Sequence, residues 1–182
     1  SVKLAVQALL IAGFVPAASA DAAQDRLKQA RAGMIEAHNA VRNRTNADLP
    51  PMRWSKQAAE QAQAWANTLA EQGCEMRHNP DLRDHGQNLY GQNLYWAGPA
   101  REVTITRSAE TGDIVDRKTR IVVAEITAKE AVESWASEAR WYDHESNICR
   151  APEGESCGHY TQIVWADTTR AGCGMTVCEG KG

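Results

Sequence analysis

Nucleophiles, bases and metal ligands are present in this chain of 182 residues, but few stand in a recognisable order. Its five cysteines, Cys74, Cys149, Cys157, Cys173 and Cys178, contain no CxxC pair, which argues against a zinc ribbon or a dithiol redox centre. Ser134 and Ser137 lie beside Glu138, yet there is no G-x-S-x-G elbow to activate a serine. Five histidines are available. His38 falls on the apolar stripe of a helical segment and reads as a hydrogen-bonded core residue. His85 and His144 are flanked by acidic side chains and read as solvated. His78 and His159, like any histidine, are imidazoles able to ligate a divalent cation or carry a proton. Spacing along the chain does not group them with other ligands, so any site holding both must be assembled by the fold.

The elements that would do so can be read in outline. Gln24 to Arg44 has Leu27, Ala30, Met34, His38 and Val41 at three- and four-residue steps, the period of a helix. The prolines of "NADLPP" end it. Ser55 is placed to cap a second helix from Lys56 to about Gln72, with Ala58, Ala62, Trp65, Ala66 and Leu69 on its buried side and Gly73 closing it. Cys74 to Gly98, rich in Asn, Gly, Asp and His, reads as an ordered loop with one helical turn. It contains the block GQNLY twice in succession, a five-residue period that matches neither helix nor strand. Val103 to Ile126 holds two β-prone runs around the turn-prone "AETGD" and predicts a hairpin. Thr127 and Glu130 form a capping box for a third helix, on which Trp135, Glu138 and Tyr142 share a side. "HYTQIVW" is dense in β-branched and aromatic residues and predicts a strand, with His159, Thr161, Ile163 and Trp165 on one face. "GCGMTVC" predicts the next strand, and "EGKG" a turn. Helices and strands intermixed without regular strand-helix-strand repeats give an α+β domain. Most of the six tryptophans are expected in the core.

Composition bounds the compartment and the partners. Lys3 precedes the apolar run "LAVQALLIAGFV", and Ala18-Ser19-Ala20 follows, which is the order of an export signal with cleavage after Ala20. The run is much shorter than the ~20 residues a bilayer span needs, so the mature chain is expected to have no transmembrane segment. The sequence opens on Ser1, so residues 1–20 are expected to be an N-terminally clipped signal and 21–182 the folded domain. The net charge of −3 becomes one unit more acidic when residues 1–20, with their single lysine, are removed. Such a chain has no general attraction for nucleic acid or anionic lipid. In an oxidising compartment the cysteines read as disulfides, with one left over and about fifteen two-bridge arrangements open.

Five collinear segments resemble the CAP superfamily, which includes cysteine-rich secretory proteins, insect venom antigen five and plant pathogenesis-related proteins of group one. "CGHYTQIVWADTTRAGCG" (Cys157 to Gly174) resembles its long signature. "HNAVR" (His38 to Arg42), "CEMRH" (Cys74 to His78), "YGQNLYWAG" (Tyr90 to Gly98) and "AVESWASEARWYDHESNIC" (Ala131 to Cys149) resemble its other motifs in order. The resemblance implies a three-layer α-β-α sandwich with a cleft carrying His78, Gln92, Glu138 and His159. The second GQNLY copy fits the motif better, hence Gln92 rather than Gln87. Many relatives have glutamate there; the amide is a poorer cation ligand and no base.

From the same resemblance, His78, Glu138 and His159 would be the ligands of a divalent metal, zinc being favoured by two imidazoles and a carboxylate. Were the protein an enzyme, Glu138 would be its catalytic group; no catalysis is the expectation. The implied bridges are Cys74–Cys178 and Cys149–Cys157, with Cys173 unpaired because the family's last strand, and the cysteine on it, is missing from this fragment. Val103 to Ile126 reads as an insertion relative to the plant members. The expected function is that of a secreted (in a bacterium, periplasmic) monomeric binding protein. Its ligand would be a small lipid, a sterol or a protein surface, in defence or host contact. A metal-dependent hydrolase using the same cleft is the alternative.

Overall fold

The computed structural model describes residues 3–12, 20–84, 87–88, 90–98, 100–122 and 126–178. Strand β1 (Lys3–Ala12) is followed by helix α1 (Ala20–Arg42), strand β2 (Arg53–Trp54) and helix α2 (Lys56–Glu71). A 3-10 turn at Pro80–Leu82 leads to the paired short strands β3 (Arg83–Asp84) and β4 (Gln87–Asn88), and then to β5 (Tyr90–Ala97). Strands β6 (Ala100–Arg107) and β7 (Ile114–Val122) form an antiparallel hairpin. Helix α3 (Ala128–Ala136) tightens into a 3-10 turn over Ser137–Trp141. The two-residue strands β8 (Tyr142–Asp143) and β9 (Ile148–Cys149), helix α4 (Gly158–Ile163) and strand β10 (Thr168–Cys178) complete the order.

The main sheet runs β2-β10-β1-β5, with all three pairings parallel. Alternate residues of β10 serve its two faces. On one side a Cβ at Gly172 would lie 2.1 Å from the Ala59 backbone nitrogen, and one at Gly174 2.3 Å from that of Gln63. Only glycine lets α2 come this close. On the other side Cys173 joins Met34, Ala37 and Val41 of α1 and Ala131, Val132 and Trp135 of α3 in the principal core cluster. Helix, sheet and helices therefore make three layers, as the family resemblance implies.

Local signals formed the second and third helices as expected. The Ser55 hydroxyl accepts the Ala58 N–H at 3.2 Å, and the Thr127–Glu130 box is closed in both directions. Gly73 ends the second helix with φ +84°. Cys74–Cys178 ties the loop after α2 to the end of β10 across 104 residues, and a loop of that size is worth about 4–5 kcal/mol of chain entropy. Cys149–Cys157 closes the loop before α4. Cys173 is free, and burial pushes its thiol pKa up to about 12.

Four expectations are corrected. "HYTQIVW" is not a strand: Gly158–Ile163 is helical. Tyr90–Ala97 is not loop but strand, so the second GQNLY copy lies in the sheet. Glu138 lies on the 3-10 turn rather than on the α-helix, and Tyr142 already belongs to β8. Of the tryptophans, Trp65 and Trp135 are buried, whereas Trp96 and Trp165 are exposed. Separately, Lys3–Ala12, which lies within the residues 1–20 expected to be an export signal, runs as β1 between β10 and β5. The expected turn at "EGKG" (residues 179–182) and His85 fall outside the described residues.

Candidate functional site

The site is built around α4, a helix of six residues that its own sequence does not favour. Its ends are supplied from elsewhere. At the N-terminus the Glu138 carboxylate accepts the backbone N–H groups of His159 (2.9 Å) and Tyr160 (3.1 Å) through Oε2. At the C-terminus the buried Arg42 guanidinium donates through Nη1 to the carbonyls of Ile163 (2.8 Å) and Trp165 (2.9 Å). An anion at the start and a cation at the end satisfy groups a helix leaves unpaired, with the charge order its dipole prefers.

Glu138 also accepts through Oε1 from Nδ1 of His159, at 2.6 Å. A carboxylate only accepts, so the proton is on Nδ1 and a neutral His159 presents its lone pair at Nε2. The ring stacks on Trp135, with centroids 6.3 Å apart and 24° between planes. Trp135 in turn donates Nε1–H to the Leu94 carbonyl at 2.8 Å. Buried Asn93 donates Nδ2–H to the His159 carbonyl at 3.0 Å. Strand β5, helix α3 and helix α4 are thus pinned to one another around His159.

The second imidazole has its own partner. The Gln92 side-chain oxygen accepts from His78 Nδ1 and from the Asn79 backbone N–H, each at 2.9 Å. An amide oxygen cannot donate, so His78 also carries its proton on Nδ1. Gln92 Nε2 is buried without a hydrogen-bond partner.

The four expected cleft residues therefore fall into two hydrogen-bonded pairs, His78 with Gln92 and Glu138 with His159. Among the described residues no hydrogen bond joins the pairs; β5 links them. Gln92 and Asn93 are consecutive on that strand and so turn to opposite sides of it, Asn93 toward α4. The expected cation set of His78, Glu138 and His159 is not gathered: among the described residues no three His, Cys, Asp or Glu side chains are grouped to hold a metal ion. Both Glu138 oxygens are already engaged, which makes the residue a partner of His159 rather than a ligand beside it. Two imidazoles alone fall short of the three protein ligands of an ordinary catalytic zinc site, so the residues as arranged do not fit a resident zinc.

Asn93 and Arg42 are functional supports that sequence reasoning passed over. Arg42 stands at the end of a motif it did use, and a charged residue closing an apolar helical stripe is a usable signal. A separate open hollow of about 470 Å³, lined by Tyr142, Asn147, the Cys149–Cys157 bridge, Thr161 and Trp165, lies against α4.

Comparison with known proteins identifies the class. The family model described as "CAP: Cysteine-rich secretory protein family" matches residues 35–182, and the chain belongs to that family. Among its relatives, pathogenesis-related protein 1C of Nicotiana tabacum is 34% identical over 148 residues, which cover 81% of this chain and 67% of the relative. Pathogenesis-related protein 1A1 of Solanum lycopersicum is 34% identical, covering 82% of this chain and 64% of its own length. GLIPR1-like protein 1 of Homo sapiens is 31% identical, with coverage of 81% and 51%.

Proposed function

We propose that this chain is a non-catalytic binding protein of the defence or host-contact type, working outside the cytoplasm. The observation that carries this reading is the commitment of Glu138. Its carboxylate holds the start of α4 and the His159 ring through three N–H donors. Gln92, at the other acidic position of the family cleft, is neutral. Neither group is free to take a proton directly from an attacking water, so among the four cleft residues a hydrolase would have to use an imidazole Nε2 as its base. The Nε2 atoms of His78 and His159, on the far side of each ring from the engaged Nδ1, are the acceptors proposed for a ligand's donors. Two disulfides favour an oxidising compartment, and the names of the plant relatives accord with defence.

The ligand is proposed to be a small lipid or sterol, with a protein surface as the other class. Titration with radiolabelled sterol and fatty acid tests this: saturable binding weakened by His159→Ala is expected, and no saturable binding removes the lipid version. The hydrolase alternative needs turnover of peptide or ester substrates with added zinc. Turnover abolished by His78→Ala and by Glu138→Gln in folded variants would replace the binding reading.

A further inference from the structure

The β6–β7 hairpin takes no part in the cleft, and its side chains are exposed along almost the whole length of both strands. Its register pairs Arg101 with Ile121, Val103 with Thr119, Ile105 with Arg117 and Arg107 with Ile114, with an irregularity that inserts Val115. Strand alternation puts these side chains on one face. That face shows Val103, Ile105, Ile114, Val115 and Ile121, which are 40, 45, 52, 63 and 59% exposed. The only charges among them are three arginines. The opposite face is polar and self-neutralising: Glu102 pairs with Arg120, Asp116 with Lys118, and Thr104 and Thr106 lie between.

An isolated two-stranded ribbon gains little by exposing five β-branched aliphatic residues to water. Charges sorted by face say what covers them. A second copy laid face to face would bring two sets of three arginines together, which disfavours self-association. A surface apolar beneath and anionic above matches both features. We infer that this face docks on an anionic phospholipid bilayer, with the aliphatic side chains in the acyl boundary and Arg101, Arg107 and Arg117 at the headgroups. Glu110 and Asp113 at the turn keep the tip out, so the hairpin lies flat. The mild acidity of the whole chain would oppose contact anywhere else, so docking is confined to this ribbon.

Vesicle co-sedimentation of the full chain tests this, using phosphatidylcholine alone and phosphatidylcholine with phosphatidylserine in equal parts. Binding only to the anionic vesicles, and loss of binding at high salt, are expected. Each arginine near such a surface contributes about fivefold, so Arg101→Gln/Arg107→Gln/Arg117→Gln weakens partition roughly 100-fold. Ile105→Asp/Val115→Asp abolishes it, while Lys118→Gln on the other face changes it about twofold at most. All these positions are exposed, and unchanged melting temperatures confirm folded variants. The inference is overturned by absent binding at low salt, or by equal binding to both vesicles. It is likewise overturned by a triple variant that binds like the parent, or by dimerisation in solution that Ile105→Asp abolishes.

Discussion

His38 is fully buried on α1, donates Nδ1–H to the Met34 carbonyl at 2.8 Å and feels the charge of Arg42. Burial, opposed by the hydrogen bond to Met34 and assisted by the guanidinium, lowers its pKa to about 4. The folded chain therefore keeps this imidazole neutral at pH values where the unfolded chain, with an ordinary histidine pKa, binds a proton. Stability contributed by this residue is full above about pH 6.5 and falls as the pH drops toward 4, by about 3 kcal/mol in all. Urea denaturation at pH 7 and pH 4.5 should show the loss, and His38→Gln should flatten it. A stability difference unaffected by the substitution would assign the pH response to other groups. His38 was legible as a core residue because its helical stripe was intact. The pairing of His78 with Gln92 was not, since fourteen residues separate them; only the family resemblance brought them together.

Among the elements, α2 against β10 shows how a local sequence fixes a layer. Gly172 and Gly174 permit backbone contact with Ala58–Ala59 and Ala62–Gln63, so Gly174→Ala must push α2 from the sheet. A cost of about 2–4 kcal/mol is expected from overpacking, read as a lower melting temperature; an unchanged melting curve would mean that α2 is not seated there. The capped helices and the hairpin were legible because their signals are local: a serine or threonine at the start, a glycine at the end, turn residues between β-prone runs. Helix α4 was not. Its residues favour a strand, and its helical form depends on Glu138, twenty-one residues upstream of His159, and on Arg42, more than a hundred residues away. Tertiary caps overrode propensity.

At the scale of the whole molecule, the parallel sheet depends on β1 filling the place between β10 and β5. Export with cleavage after Ala20 would remove that strand and leave two edges facing each other. A chain beginning at Asp21 is therefore expected to melt lower and aggregate more readily than one retaining Lys3–Ala12; equal melting temperatures would show that β1 adds nothing. Helices α1 and α3, strand β5 and the Cys149–Cys157 bridge all meet α4, and Glu138 is the residue that holds its start in place. On that commitment rests the proposal that the protein binds rather than hydrolyses. Urea denaturation of Glu138→Gln against the parent chain tests it most directly. With three N–H donors losing a charged acceptor, a loss of about 2–4 kcal/mol is predicted. Unchanged stability would contradict it, because a carboxylate the fold does not need is one free to act as a base.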